Sequence, residues 1–192
     1  MSQVASTIEQ MNTFFEPKSV AVVGASKKIT KAGHVIFKNF VDNKRRGVFK
    51  GELYPVNPNE DYILAFPCYP SLTEIVGDIE LVVVVVPAED VPQVMHDAAQ
   101  KHARAAVIVS GGFGEVGNHE LEEKVKRIAT DAHIRVLGPN CLGVYDSSTG
   151  VDMLFLPETR VLTTGDEVVA TPRPMNGPIA VVTQSCLLYT SD

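Results

Sequence analysis

With 192 residues, 45% of them apolar and 21% charged, the chain has ordinary globular composition and enough apolar side chain for a buried core, which excludes the disordered and fibrous classes. A net charge of −6 argues against a coat for nucleic acid. Its three cysteines, Cys68, Cys141 and Cys186, are far apart and lack CxxC spacing, which argues against a zinc site or disulfide framework and fits a reducing, cytoplasmic setting.

In chain order, the opening MSQVASTIEQMNTFF has neither basic flank nor long apolar core and does not read as a signal peptide. The apolar run at 19–24 predicts a first strand. Val35, Ile36, Phe40 and Val41 then predict a short amphipathic helix. A second strand is expected at 51–56, ending in the turn-rich PVNPNED. A third, at 81–86, is apolar at every position, and with Pro87 it is too short to span a bilayer. Val91, Val94, Met95, Ala98 and Ala99 recur at helical steps and predict a helix over 90–102, with Pro87 just ahead of it. A fourth strand is expected at 105–110. Leu121, Val125, Ile128, Ala129 and Ala132 mark a helix over 118–132, and a fifth strand follows at 134–137. Continuous apolar strands alternating with amphipathic helices predict βαβ crossovers and an α/β, Rossmann-like, doubly wound parallel sheet covered on both faces.

Residues 146–176 carry no stripe of useful length and read as an irregular connection with one short strand near 151–156. The run GPIAVVT at 177–183 reads as a new buried strand. The expected division is a first domain at 1–145, a linker at 146–176 and the truncated start of a second domain at 177–192.

Ligands of doubly wound folds lie beyond the carboxyl ends of the strands. The segments to read are therefore 24–33, 55–61, 87–89, 110–117 and 138–143. At the first exit Gly24 is followed by Ala25, Ser26, Lys27 and Lys28, with Lys31 and Gly33 beyond. Neither GxGxxG nor a P-loop is present. The second strand ends at Asn57, with the first acids, Glu60 and Asp61, further on, so the ribose-binding acid of the NAD fingerprint is missing. Two readings stay open: a phosphate-cradling turn with lysine point charges, or a plain β–α turn with solvated lysines. In GGFGEVG, Gly111 and Gly112 read as ligand-facing backbone, while Glu115 either caps the following helix or orients a reacting group. In LGPNCLG, Asn140 offers donor and acceptor and Cys141 a thiol. Read alone, this is a rigid bend with an inert, buried cysteine. The five histidines, His34, His96, His102, His119 and His133, read as structural or surface residues.

Together FFEPKSVAVVGAS, YPVNP, VVVVVPAEDVPQVM, AVIVSGGFGEVG, LGPNCLG and GPIAVVTQS, in this order and spacing, resemble the N-terminal part of the NDP-forming acyl-CoA synthetases. These include the ADP-forming acetate–CoA ligases and, more distantly, the α subunit of succinyl-CoA synthetase. The resemblance covers roughly residues 13–185. It implies a CoA-binding Rossmann-like domain followed by the start of a flavodoxin-like one. The implied reaction is acid, CoA and ATP giving acyl-CoA, ADP and phosphate, reversibly, through an acyl phosphate and a phosphohistidine. It places CoA against Gly24, Ala25, Ser26 and Lys27, with further contacts at Asn57, Val86, Pro87, Ser110, Gly111 and Gly112. Asn140 and Cys141 would lie near the CoA thiol. CoA suits the lysine-flanked turn, and a carboxylate after the second strand would repel its ribose phosphate.

The resemblance implies no catalytic residue and no metal ligand in this chain. The phosphohistidine is expected past residue 192, and ATP, ADP and magnesium would act only through an ATP-grasp domain or subunit, the expected partner in an oligomeric enzyme. Neither nucleic acid nor membrane is an expected partner. After TQS the sequence CLLYTSD departs from the family, so 186–192 reads as a foreign end. Two alternatives stand beside this reading. One is a non-catalytic CoA-binding module, or the regulatory half of a protein acetyltransferase fusion. The other is an NAD(H)-binding redox sensor.

Overall fold

The computed structural model describes residues 3–183. Its element order is α1 (Gln3–Asn12), β1 (Ser19–Val23), α2 (Ala32–Arg45), β2 (Glu52–Val56), β3 (Tyr62–Ile63), β4 (Phe66–Pro67), β5 (Leu81–Val84), α3 (Val91–Gln100), β6 (Ala105–Ile108), α4 (His119–Asp131), β7 (Arg135–Leu137), β8 (Tyr145–Asp146), β9 (Val151–Asp152), β10 (Thr159–Val161) and β11 (Glu167–Val169). The main sheet runs β2-β1-β5-β6-β7, with every pairing parallel. All five expected strands are present, and the sheet is the doubly wound α/β arrangement read from the sequence.

The two faces explain why the central strands β5 and β6 are apolar throughout. Val20 and Val22 of β1, with Leu81 and Val83 of β5, pack under Ile36, Phe37 and Phe40 of α2. The alternate residues Ala21, Val23, Val82 and Val84 pack under Val91 and Met95 of α3 and Val125 and Ile128 of α4. A strand buried on both sides has no position left for a polar residue.

The helices end earlier than their periodicity suggests. α3 stops at Gln100 and α4 at Asp131, because His102 (φ +53°) and His133 (φ +56°) take the left-handed conformation that closes a helix. Neither is the glycine or asparagine that would have signalled the stop.

The structure adds elements that the sequence reading did not contain. α1 lies at the strand starts: Arg104 Nη1 is 3.1 Å from Glu9 Oε1, and Gln10 Nε2 donates to the His133 carbonyl at 3.0 Å. β3 and β4 form a tight hairpin whose turn is Leu64 (φ +49°) and Ala65 (φ +70°). Such a turn normally announces itself as Asn-Gly, and here it does not. β10 and β11 form a second hairpin inside the segment read as irregular.

The strand expected near 151–156 is confined to Val151–Asp152, paired with β8. Val151 and Met153 are fully buried in the same cluster as α2. The buried strand expected at 177–183 is not formed. That run is exposed, with Val182 at 99% exposure, and among the described residues no strand lies beside it. An apolar run becomes a strand only where a neighbour supplies hydrogen bonds and cover. The reading of 186–192, with Cys186, lies outside the described residues.

Candidate functional site

β1 lies between β2 and β5, and its two neighbours are reached by connections that leave in opposite directions. A crevice must open at such a switch point, beyond the carboxyl ends of the strands. A cleft of about 450 Å³ occupies that place, lined by the β1 exit, the start of α2, the β2 exit and Val85.

Two glycines make the floor. Gly24 has φ +91°, and a Cβ there would land on the Val85 carbonyl. A Cβ on Gly33 would land on the Gly24 carbonyl, so α2 sits directly on the end of β1. This pair accomplishes the close strand–helix approach that the last glycine of GxGxxG supplies elsewhere, across a longer turn.

Three hydrogen bonds hold the turn. Lys28 N–H donates to Ser26 Oγ at 3.1 Å, His34 Nδ1 is 2.8 Å from the Ser26 carbonyl, and Asn57 Nδ2 donates to the Ala25 carbonyl at 2.7 Å. Asn57 Oδ1 accepts from Asn59 N–H at 2.9 Å, so this one side chain ties the β1 and β2 exits together. No side chain caps α2 at Lys31, and Ala32 and Gly33 of its first turn line the cleft. Uncapped first-turn N–H groups and the positive end of a helix dipole suit an anion.

The lysines divide. Lys28 and Lys31 line the cleft and have no ion-pair partner among the described residues. Lys27 Nζ instead lies 2.6 Å from Glu60 Oε2, a contact that holds the ammonium above its ordinary pKa. Glu60 also lines the cleft. The sequence reading that no acid serves the end of the second strand is therefore corrected. The 57–60 turn brings Glu60 back to the strand exit, with its N–H 3.4 Å from the Asn57 carbonyl.

The remaining expected residues form a second group at the β5, β6 and β7 exits. Val86 packs on the core while its neighbour Val85 lines the cleft. Pro87 is exposed ahead of a short 3-10 turn at Ala88–Asp90. The Ala88 methyl stands 3.0 Å from where a Gly112 Cβ would be, so the β5 and β6 exits touch. Ser110 Oγ donates to the Val84 carbonyl at 3.4 Å, and its own carbonyl accepts from Asn140 N–H at 2.9 Å.

Glu115 caps the turn that contains it. Its carboxylate accepts from Gly112 N–H, and from Phe113 N–H at 3.1 Å. The Gly112 bond is the main cause that lowers the carboxyl below its ordinary range. Gly112 N–H is thus occupied, and Gly111 is exposed between the side chains of Glu115 and Asn140. Gly138–Pro139 is a cis peptide, and Asn140 is exposed at φ +55°. Cys141 Sγ donates to the Ile108 carbonyl at 3.3 Å, and burial pushes the thiol up, away from the nucleophilic thiolate.

Residues 18–147, which contain the whole parallel sheet, match the family described as the CoA binding domain. The chain belongs to that family. This CoA-binding domain is 45% identical over 139 residues to the ADP-forming acetate–CoA ligase of Methanocaldococcus jannaschii, a match spanning 72% of the chain and 19% of the relative. It is 35% identical over 181 residues to the α subunit of ADP-forming acetate–CoA ligase I of Pyrococcus furiosus, spanning 91% of the chain and 35% of the relative. Among solved structures, the dinucleotide-forming acetyl-coenzyme A synthetase 1 of Ca. Korarchaeum cryptofilum, bound to phosphate and ADP, aligns with a TM-score of 0.72 at 36% identity, over 77% of this chain and 31% of that one. The chain therefore spans between 19% and 35% of the length of these relatives.

The sequence reading of the CoA-binding domain placed Gly24, Ala25, Ser26 and Asn57 at one site, and the fold brings them together. Lys27, which it names as a contact, is held by Glu60, and the cleft is lined by Lys28 and Lys31 and by three residues it does not name as contacts, Asn59, Glu60 and Val85. The signal for two of these was present in PVNPNED, a turn short enough to double back on its own strand. Among the described residues no group of His, Cys, Asp and Glu could hold a metal, and no helix is long and apolar enough to cross a membrane.

Proposed function

We propose that this domain binds CoA or acyl-CoA in the switch-point cleft, as the CoA-binding portion of an ADP-forming acid–CoA ligase. The observation that carries the reading is the pair of lysines, Lys28 and Lys31, without an ion-pair partner among the described residues, beside the uncapped first turn of α2 at the switch point of a CoA-binding-family fold. A pyrophosphate meets backbone N–H groups and point charges there. Gly24, Ala25, Ser26 and Asn57 shape that end. Val86, Pro87, Ser110, Gly111 and Gly112 continue along the sheet edge toward Asn140 and Cys141, where the thiol end of CoA would lie.

In the whole enzyme the reaction would be acid, CoA and ATP giving acyl-CoA, ADP and phosphate. An ATP-grasp domain or subunit would supply nucleotide chemistry and the magnesium site, in a cytoplasmic, oligomeric assembly. Residues 177–192 would begin the second domain there, which gives the exposed run at 177–183 a sheet to join. Isothermal titration tests the binding claim: a folded sample should give saturable heat with CoA, and none at millimolar ligand sinks it.

One observation favours a second reading. Glu60 stands at the end of β2, where NAD-binding folds keep a ribose-binding acid. A thermal-shift comparison separates the two: stabilisation by NADH and not by CoA selects the redox sensor.

A further inference from the structure

The end of the second strand reads the ribose in dinucleotide-binding folds. A carboxylate there accepts from ribose hydroxyls, and a cation there accommodates a ribose phosphate. This cleft holds both chemistries as one pair. Lys27 comes from the β1 exit and Glu60, which lines the cleft, from the β2 exit, and their charged atoms meet at 2.6 Å. The Glu60 side chain is 22% exposed and that of Lys27 56%, so the acid lies deeper and the base further out. The acid is fixed by its turn: Asn57 binds the Ala25 carbonyl on one side and Asn59 N–H on the other. The base sits on a turn held by Ser26 and His34.

We propose that Glu60 is a specificity-determining residue, which through its pairing with Lys27 sets the balance between a phosphorylated ribose and one with free hydroxyls. The proposal rests on the CoA reading of this cleft. With Glu60 ionised the pair is neutral. An incoming ribose phosphate must share Lys27 with a carboxylate already bound to it, and is repelled by that carboxylate. A ribose with free hydroxyls meets no such repulsion and finds an acceptor. Removing the charge of Glu60 frees Lys27 for phosphate. Removing Lys27 leaves a bare carboxylate that rejects phosphate and still accepts hydroxyls.

The test uses two ligands that differ only at the ribose, CoA and 3′-dephospho-CoA. The readout is the ratio of the dephospho-CoA Kd to the CoA Kd, from titration calorimetry on the full chain. Glu60→Gln should raise this ratio roughly three- to tenfold at low salt, with the gain shrinking as salt is added. Lys27→Met should lower it by a similar factor. Circular dichroism and a thermal melt confirm that each variant is folded, as expected for two partly exposed side chains. A ratio unchanged in both variants, with wild-type binding intact, overturns the inference alone. A wild type that binds neither ligand overturns the reading of the cleft, and the inference with it.

Discussion

Arg173 Nε lies 2.7 Å from Asp152 Oδ2, and both side chains are less than a tenth exposed. The same guanidinium donates through Nη1 to the Thr171 carbonyl at 3.1 Å and through Nη2 to the Leu156 carbonyl at 2.8 Å. One planar fork thus clips both ends of the β10–β11 segment to β9, which is itself buried against α2. Arg173→Ala strips a buried carboxylate of its partner, a loss of about 3 kcal/mol. That loss falls on the docking of the segment more than on the sheet. Limited proteolysis within 157–172 should speed up by about a hundredfold, while the main melting transition moves less. Arg173→Lys should not rescue, because an ammonium cannot serve three acceptors in one plane. Unchanged cleavage in the alanine variant would show that the clip holds nothing.

Gly33 is the contact point of α2 with the end of β1. Any Cβ there meets the Gly24 carbonyl, which is backbone and cannot swing aside. Gly33→Ala should therefore destabilise the domain by about 2 kcal/mol, the usual range for overpacking, and lower Tm by ~5 °C. The cleft should deform with it, so binding weakens as well. A variant that melts with the parent would mean that helix and strand are further apart than described.

The alternation of strands and helices was legible because the central strands are buried on both faces and must be apolar; β5 shows this at every position. The helix stripes were legible for the same reason, on one face. What escaped depends on backbone geometry that residue type does not encode. Leu64 and Ala65 turn a hairpin without a turn residue, and His102 and His133 close helices without glycine. Glu60 escaped because distance along the chain overstates distance in space: the turn from Asn57 folds it back beside the residue it follows. The run at 177–183 shows the converse. Its composition is that of a core strand, yet burial belongs to the neighbour as much as to the segment.

Glu115 gives a pH dependence with a fixed sign. The Gly112 N–H bond stabilises its ionised form and lowers its pKa from the ordinary value of 4.5. A depressed carboxyl contributes stability that is fully present above that ordinary value. The contribution is lost as pH falls through the lowered, folded-state value. The turn at Gly114–Val116 should loosen only in that acid window. The amide proton shifts of Gly112 and Phe113 should titrate together with a midpoint below 4.5, and Glu115→Gln should abolish the titration. A midpoint at or above the ordinary value contradicts the cap.

The division among the three lysines makes the sharpest test of the cleft. Lys28 and Lys31 line it with no ion-pair partner among the described residues, while Lys27 is held by Glu60. A charge already bound to a carboxylate contributes little to a distant phosphate, whereas a free one beside the uncapped start of α2 contributes fully. Lys28→Ala and Lys31→Ala should each weaken CoA binding roughly tenfold at low salt. The double variant should also flatten the salt dependence. Lys27→Ala should weaken CoA binding less than either, because Lys27 does not line the cleft and the Glu60 carboxylate it leaves bare acts only on the ribose phosphate. Titrations at two salt concentrations decide: if Lys27 proves the dominant lysine, the phosphates bind beside Lys27 and not at the start of α2.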